Sequence, residues 1–263
     1  MKLLSTSILT VSLGTAAMAQ DGQSDPELPR SASSLSQTEI GTVSPALARY
    51  GRDTVVEGLW KRPQLSRRDR SLVTVAILVA RGQTFDLAHH IEGALDGGVT
   101  PVELSETITH LAFYAGWSNA MAAVDVARTV FAERGIAADG LPAASPDLRQ
   151  IDERAEAARK ASVGQLLGTA SPGLAEFTTD PLFADVWLRP DLDPRDRSLV
   201  TISSLMANGQ VAQLAGHLNR ALDNGLTEEE AGEVVTQIAF YAGWPNAFSA
   251  GPVVREVVEK RPN

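Results

Sequence analysis

RDRSLVT stands at residues 68–74 and again at 195–201, and AFYAGW stands at 112–117 and again at 239–244. Both pairs lie 127 residues apart (195 against 68, 239 against 112). At that offset Trp60–Arg128 and Trp187–Arg255 align without a gap, and self-similarity at a fixed period marks a duplicated structural unit. Ser44-Pro45 and Ser171-Pro172 keep the same offset, so the unit begins earlier still. The period is too long for a solenoid and predicts a tandem of two similar domains.

Each copy reads as helices. Ser66-Arg67-Arg68-Asp69 has the shape of a capping box, and Asp193-Pro194-Arg195-Asp196 adds proline at the first helical position. Leu72–Ala80 and Leu199–Ala207 are apolar on nearly every face, as in a core helix, and Gly82 and Gly209 punctuate them. An amphipathic helix follows, with Leu87, Ile91, Ala94 and Leu95 at helical spacing and Leu214, Leu218, Ala221 and Leu222 in the twin. Thr100-Pro101-Val102-Glu103 and Thr227-Glu228-Glu229-Glu230 open a third helix with further capping boxes. A fourth starts near Asn119, with Gly116 and Gly243 expected to allow close helix approach. The fold class is all-α.

The chain has 263 residues, 44% of them hydrophobic and 21% charged, with 23 basic and 32 acidic side chains giving a net charge of −9. No basic patch could neutralise a row of phosphates, which argues against nucleic acid as a partner, and an acidic surface repels anionic membranes. Cysteine is absent, which removes disulfides, thiolate nucleophiles and iron–sulfur clusters. Four histidines leave little for a multi-histidine metal site.

Lys2, the apolar run Leu3–Leu13 and the small residues ending Ala17-Met18-Ala19 have the pattern of a secretory signal peptide over residues 1–19. The expected organisation is that signal, a flexible lead-in at 20–43, a first unit at 44–134, a linker at 135–146 and a second unit at 147–263. The expected location is the periplasm or the cell exterior.

The order RDRSLVTVA, a histidine, a Gly-Gly stop, a Thr-capped helix and AFYAGWSNA, repeated with AFYAGWPNA, resembles the carboxymuconolactone decarboxylase family. The resemblance covers nearly all of Ser44–Phe131 and Asp147–Val258. It implies AhpD-like helical bundle units that oligomerise, often as a ring of three dimers, so a trimer of tandem chains would imitate a hexamer. It implies loss of CO₂ from 4-carboxymuconolactone or a similar small, anionic, lactone-like acid, without metal or organic cofactor. The sister alkylhydroperoxidases use a Cys-x-x-Cys pair ahead of a histidine. Aligned on His90 or His217, those cysteine positions hold Gln83 and Asp86, or Gln210 and Gln213, so that thiol chemistry is not available.

Decarboxylation needs a cation for the carboxylate, donors where negative charge develops, and an acid that returns a proton to carbon. His90 and His217 occupy equivalent positions and change charge near neutral pH, which makes them the candidate proton donors. Arg70 and Arg197 are candidates for gripping a carboxylate, and Tyr114, Tyr241, Trp117 and Trp244 for walling an apolar pocket. All of these have packing roles open to them. Asp69 and Asp196 suit a helix first turn, Glu103 and Glu230 complete capping boxes, and the two arginines could pair with acids or lock subunits together. The copies differ at Asp86 against Gln213, His89 against Gly216, and Glu92-Gly93 against Asn219-Arg220. Two readings remain: a decarboxylase, or a non-enzymatic ring-forming module that binds a small acid or serves as a scaffold.

Overall fold

The computed structural model describes residues 35–261; the signal-peptide reading and most of the lead-in lie outside them. Two short helices, α1 (Gln37–Val43) and α2 (Pro45–Tyr50), lead into a π turn and a 3-10 turn. The first bundle follows as α3 (Arg67–Ala80), α4 (Leu87–Asp96), α5 (Pro101–Ala115) and α6 (Trp117–Glu133). Past the linker, α7 (Glu153–Leu167) and α8 (Pro172–Phe177) lead into the second bundle: α9 (Pro194–Ala207), α10 (Val211–Asp223), α11 (Glu228–Tyr241) and α12 (Trp244–Lys260). No strand occurs among the described residues, and the fold is all-α. The end of the expected lead-in is helical, because Ser36 and Glu39 cap α1 reciprocally.

The helix starts follow the capping chemistry. Thr100 with Glu103 and Thr227 with Glu230 form complete capping boxes, while Ser66 accepts from the Asp69 amide at 3.0 Å without the return bond. Gly116 and Gly243 have φ of 95° and 96°, and a Cβ on Gly116 would meet nothing within 4 Å. Their glycines serve a left-handed backbone turn between consecutive helices, not close helix approach. The asparagine that follows in each motif fastens that turn: Asn119 Nδ2 donates to Ala80 and Ala115 carbonyls, and Asn246 Nδ2 donates to those of Ala207 and Ala242. These bonds occupy carbonyls that a helix C-terminus leaves open.

Helices α3 and α9 are buried from Asp69 and Asp196 onward. They pack against each other, and each also packs against the third bundle helix of the opposite copy, α3 with α11 and α9 with α5. One apolar cluster therefore runs through both copies, from Leu72, Ile77 and Leu104 to Leu199, Ile202 and Ile238. Side chains of this kind contribute about 1.5–3 kcal/mol each when fully buried. The tandem is folded as an intrachain pseudo-dimer, and the seam between copies is where its polar residues meet.

Candidate active site

Each copy supplies a histidine and a tryptophan, and the other copy supplies the tyrosine. His90 on α4 stacks on Trp60 (centroids 6.2 Å apart, planes at 12°) and meets Tyr241 edge-on at 5.3 Å. Trp60 Nε1 donates to the Tyr241 hydroxyl at 2.8 Å. In the second cluster His217 on α10 stacks on Trp187 (6.0 Å, 15°) and meets Tyr114 at 5.2 Å, with Trp187 Nε1 donating to Tyr114 at 2.8 Å. Helix spacing fixes the histidines, but the tyrosines arrive only through the crossing of copies.

Burial sets the protonation states. Desolvation, with His89 nearby, pulls His90 down to about 4. His217 is likewise pulled to about 4, by desolvation and then by the charge of Arg220. Both imidazoles are neutral at pH 7. Burial pushes Tyr241 up to about 12 and Tyr114 upward as well. Each hydroxyl accepts from an indole and keeps its own proton to donate.

The surroundings of the two clusters differ. Trp60, His90 and Tyr241 open on a cavity of about 850 Å³, together with Phe85, Asp86, His89 and Gly93. Leu35, Gln37, Ile40 and Leu47, from the N-terminal segment, line it too, and so do Lys61 and Arg67. In the second copy Arg220 replaces Gly93 and Phe183 replaces Val56 at the repeat offset. Phe183 lies flat against Trp187 (5.7 Å, 3°), and the Arg220 guanidinium sits 5.0 Å from the Trp187 ring centre and 5.1 Å from that of Phe183. Arg159 covers Phe183 at 4.4 Å.

Arg70 and Arg197 lie elsewhere. Both are fully buried in the seam. Arg70 donates to Gln237 Oε1, Glu233 Oε1 and the Arg62 carbonyl; Arg197 donates to Glu106 Oε2 and the Arg189 carbonyl, with His110 Nδ1 at 3.4 Å. These bonds saturate most of each fork, and neither arginine lines the cavity. The physical reason is the pairing of α3 with α11 and of α9 with α5, which brings a carboxylate to each guanidinium. The same crossing makes His110 and Gln237 equivalent: each faces an arginine, and each bonds the threonine hydroxyl of the opposite copy, Thr201 at 2.7 Å or Thr74 at 2.8 Å. Burial and the Arg197 charge hold His110 well below its ordinary value, so it matches a neutral glutamine. Asp69 and Asp196, first-turn residues by sequence, also receive Arg195 and Arg68 across the seam.

Trp117 and Trp244 are 66% and 52% exposed and belong to neither cluster; they pack against Phe113 and Phe240 on the outer surface. His89, which differs between the copies, lines the cavity, and so do Trp60, Lys61 and Arg67, which the sequence pattern did not place there. His89 and Arg67 face Gly216 and Pro194 across the repeat. Chemistry present in one copy only was the available signal. Among the described residues no three His, Asp or Glu side chains converge to hold a metal ion, and no described helix is long and apolar enough to cross a membrane.

The sequence profile of the carboxymuconolactone decarboxylase family matches residues 47–129 and 172–256, together more than half of the chain. This protein belongs to that family. Both copies are carboxymuconolactone decarboxylase units, each matched over the bundle that carries one His–Trp pair. A 4-carboxymuconolactone decarboxylase from Acinetobacter baylyi is 44% identical over 79 residues, which is 30% of this chain and 59% of that protein. A nitrosuccinic acid decarboxylase from Metarhizium robertsii is 33% identical over 82 residues, 30% of this chain and 57% of that protein. The match thus spans less than two thirds of either relative. A solved chain from Burkholderia xenovorans, assigned as a gamma-carboxymuconolactone decarboxylase subunit, is 20% identical with a TM-score of 0.48, covering 84% of this chain and 89% of that one.

Proposed function

We propose that this chain is a cofactor-independent decarboxylase of a small lactone-like or otherwise unsaturated carboxylic acid, working in the cavity at His90. The observation that carries the reading is an imidazole and a tyrosine hydroxyl bordering one cavity that also has two cationic side chains in its walls. Arg67 or Lys61 orients the departing carboxylate. As the carbon–carbon bond breaks, its electron pair moves into the adjoining carbonyl and CO₂ leaves. The Tyr241 O–H donates to the developing enolate oxygen. His90, kept neutral at pH 7 by burial, takes up a proton when an anion settles beside it, because a nearby negative charge favours the imidazolium. It then returns that proton to carbon. Two relatives named as decarboxylases of different acids support the reaction class.

The test is an optical assay with 4-carboxymuconolactone on the full chain. His90→Asn is expected to lower kcat by about 10²–10⁴, while His217→Asn retains most of it. Full activity in His90→Asn overturns the assignment. Saturable ligand binding without turnover in the unsubstituted protein favours the binding-module reading instead.

Assembly and export complete the proposal. Trp117, Met121, Trp244 and Phe248 are 66%, 57%, 52% and 75% exposed, and they form equivalent apolar faces on the two copies, the kind of surface that associates. A trimer of tandem chains would cover them. Sedimentation should shift to single chains in Trp117→Ser/Phe248→Ser. Export through the first 19 residues predicts a mature periplasmic chain beginning near Gln20, which N-terminal sequencing reads directly.

A further inference from the structure

Trp60 and Trp187 are equivalents in the repeat, yet only one of them is covered. Trp187 is buried; besides His217, Tyr114 and His110 it carries Phe183 flat against its ring, at 5.7 Å and 3°. Trp60 is partly exposed, and among the described residues the rings beside it are those of His90 and Tyr241. Phe183 closes the π turn Thr178–Phe183, and Val56 closes the corresponding turn, Gly51–Val56. Valine has no ring to lay on an indole. Val56 and Trp60 both border the cavity at His90, so the place that the Phe183 ring takes in the second copy is open space in the first.

That space has apolar walls. Ile40, Leu47, Val55 and Phe85 line the cavity with Val56, and Leu47, Val56 and Phe85 are exposed. Phe85 stands where the second copy has Ala212. The first copy thus lacks the ring that fills the second and has an aromatic side chain at the mouth instead. A volume of about 850 Å³ falls in the range that encloses a ligand of drug size, more than a small acid alone occupies. Asp86, Glu92 and Asp96 share the walls. A second carboxylate on the ligand would meet their charge, whereas an uncharged ring does not.

We propose that the ligand of the first cavity is a carboxylic acid bearing an uncharged aromatic ring, and that this ring stacks on Trp60 as Phe183 does on Trp187. Offset-stacked rings with centres about 4.5–7 Å apart attract beyond the area they bury. The carboxylate end is the one given above to Arg67 or Lys61, and to that extent the proposal rests on the decarboxylase reading. The stacking on Trp60 does not depend on it.

Calorimetric titration of the full chain with 4-phenylbutanoate tests it. This acid has no carbonyl placed to receive the electron pair of a departing carboxylate, so binding is read without turnover. Butanoate is the control without a ring, and 4-cyclohexylbutanoate the control whose ring is apolar but not flat. One phenylbutanoate per chain is expected, bound at least tenfold more tightly than butanoate. Its advantage over the cyclohexyl acid should be about two- to tenfold. Val56→Phe restores the ring of the second copy and should weaken phenylbutanoate binding at least tenfold, with Tm unchanged or higher. If Val56→Phe lowers Tm, Gly93→Arg decides, since it brings to Trp60 the guanidinium that Arg220 lays on Trp187. It must weaken binding tenfold although it adds a positive charge. Unchanged affinity in the deciding variant overturns the proposal, and so does equal binding of phenylbutanoate and either control. Failure of the decarboxylase reading looks different: 4-carboxymuconolactone is not turned over, while phenylbutanoate still binds and Val56→Phe still weakens it.

Discussion

His90 and Gly93 stand on the same helix, three residues apart, and decide what the first copy can hold. The glycine leaves the space beside the imidazole open: a Cβ there meets nothing within 4 Å. Gly93→Phe should therefore abolish turnover of any cavity ligand while Tm stays unchanged or rises about 1–2 °C, because a glycine inside a helix is itself unfavourable. Thermal melting beside the optical assay separates the two effects. Tyr241→Phe keeps the ring and removes one donor; its kcat should fall about 10²–10³-fold, with KM nearly unchanged if the hydroxyl acts on the transition state. The placing of an imidazole at position 90 was within reach of the sequence, since both copies keep histidine there. The surroundings of that ring were not, since Tyr241 is 151 residues away (241 against 90).

At the level of elements, α3 and α9 explain why conspicuous arginines misled. RDRS reads equally well as a capped first turn or as an exposed grip for an anion, because local pattern shows a helix face but not what covers it. Helices α11 and α5 cover it, with Glu233 and Glu106, and those glutamates carried no signal in their own segment. Glu233→Gln leaves Arg70 inside the seam without its carboxylate, and urea denaturation should show a loss of about 3–5 kcal/mol. Replacing an exposed pair such as Arg128–Asp125, 56% and 76% exposed, should change stability by under ~0.5 kcal/mol. The capping boxes and helix order were legible because they depend on residues three or four apart. The crossing of the copies depends on shape and burial summed along whole helices, which no short motif encodes.

For the molecule as a whole, three neutral imidazoles in or near one seam couple folding to acidity. His90 and His217 titrate near 4 when folded, and His110 lies lower than its ordinary value as well. An unfolded chain binds those protons near pH 6.5, so between about 6.5 and 4 the unfolded state holds more protons. Stability is then full above pH 6.5 and declines as pH falls toward 4. The loss is on the order of 3 kcal/mol for each of the first two rings. Melting curves from pH 7.5 to 4.5 should show a falling Tm, with a shallower slope in His217→Gln. A flat profile would mean that these rings are solvated.

The peptide link between the copies has a consequence for their history and their use. Two separate, identical subunits would have to carry every substitution twice, so an arginine at one mouth would appear at the other. Joined end to end, this chain holds glycine at position 93 and arginine at 220 within one interlocked body. Symmetry can then be broken in chemistry while it is kept in architecture, since each mouth still borrows its tyrosine from the opposite copy.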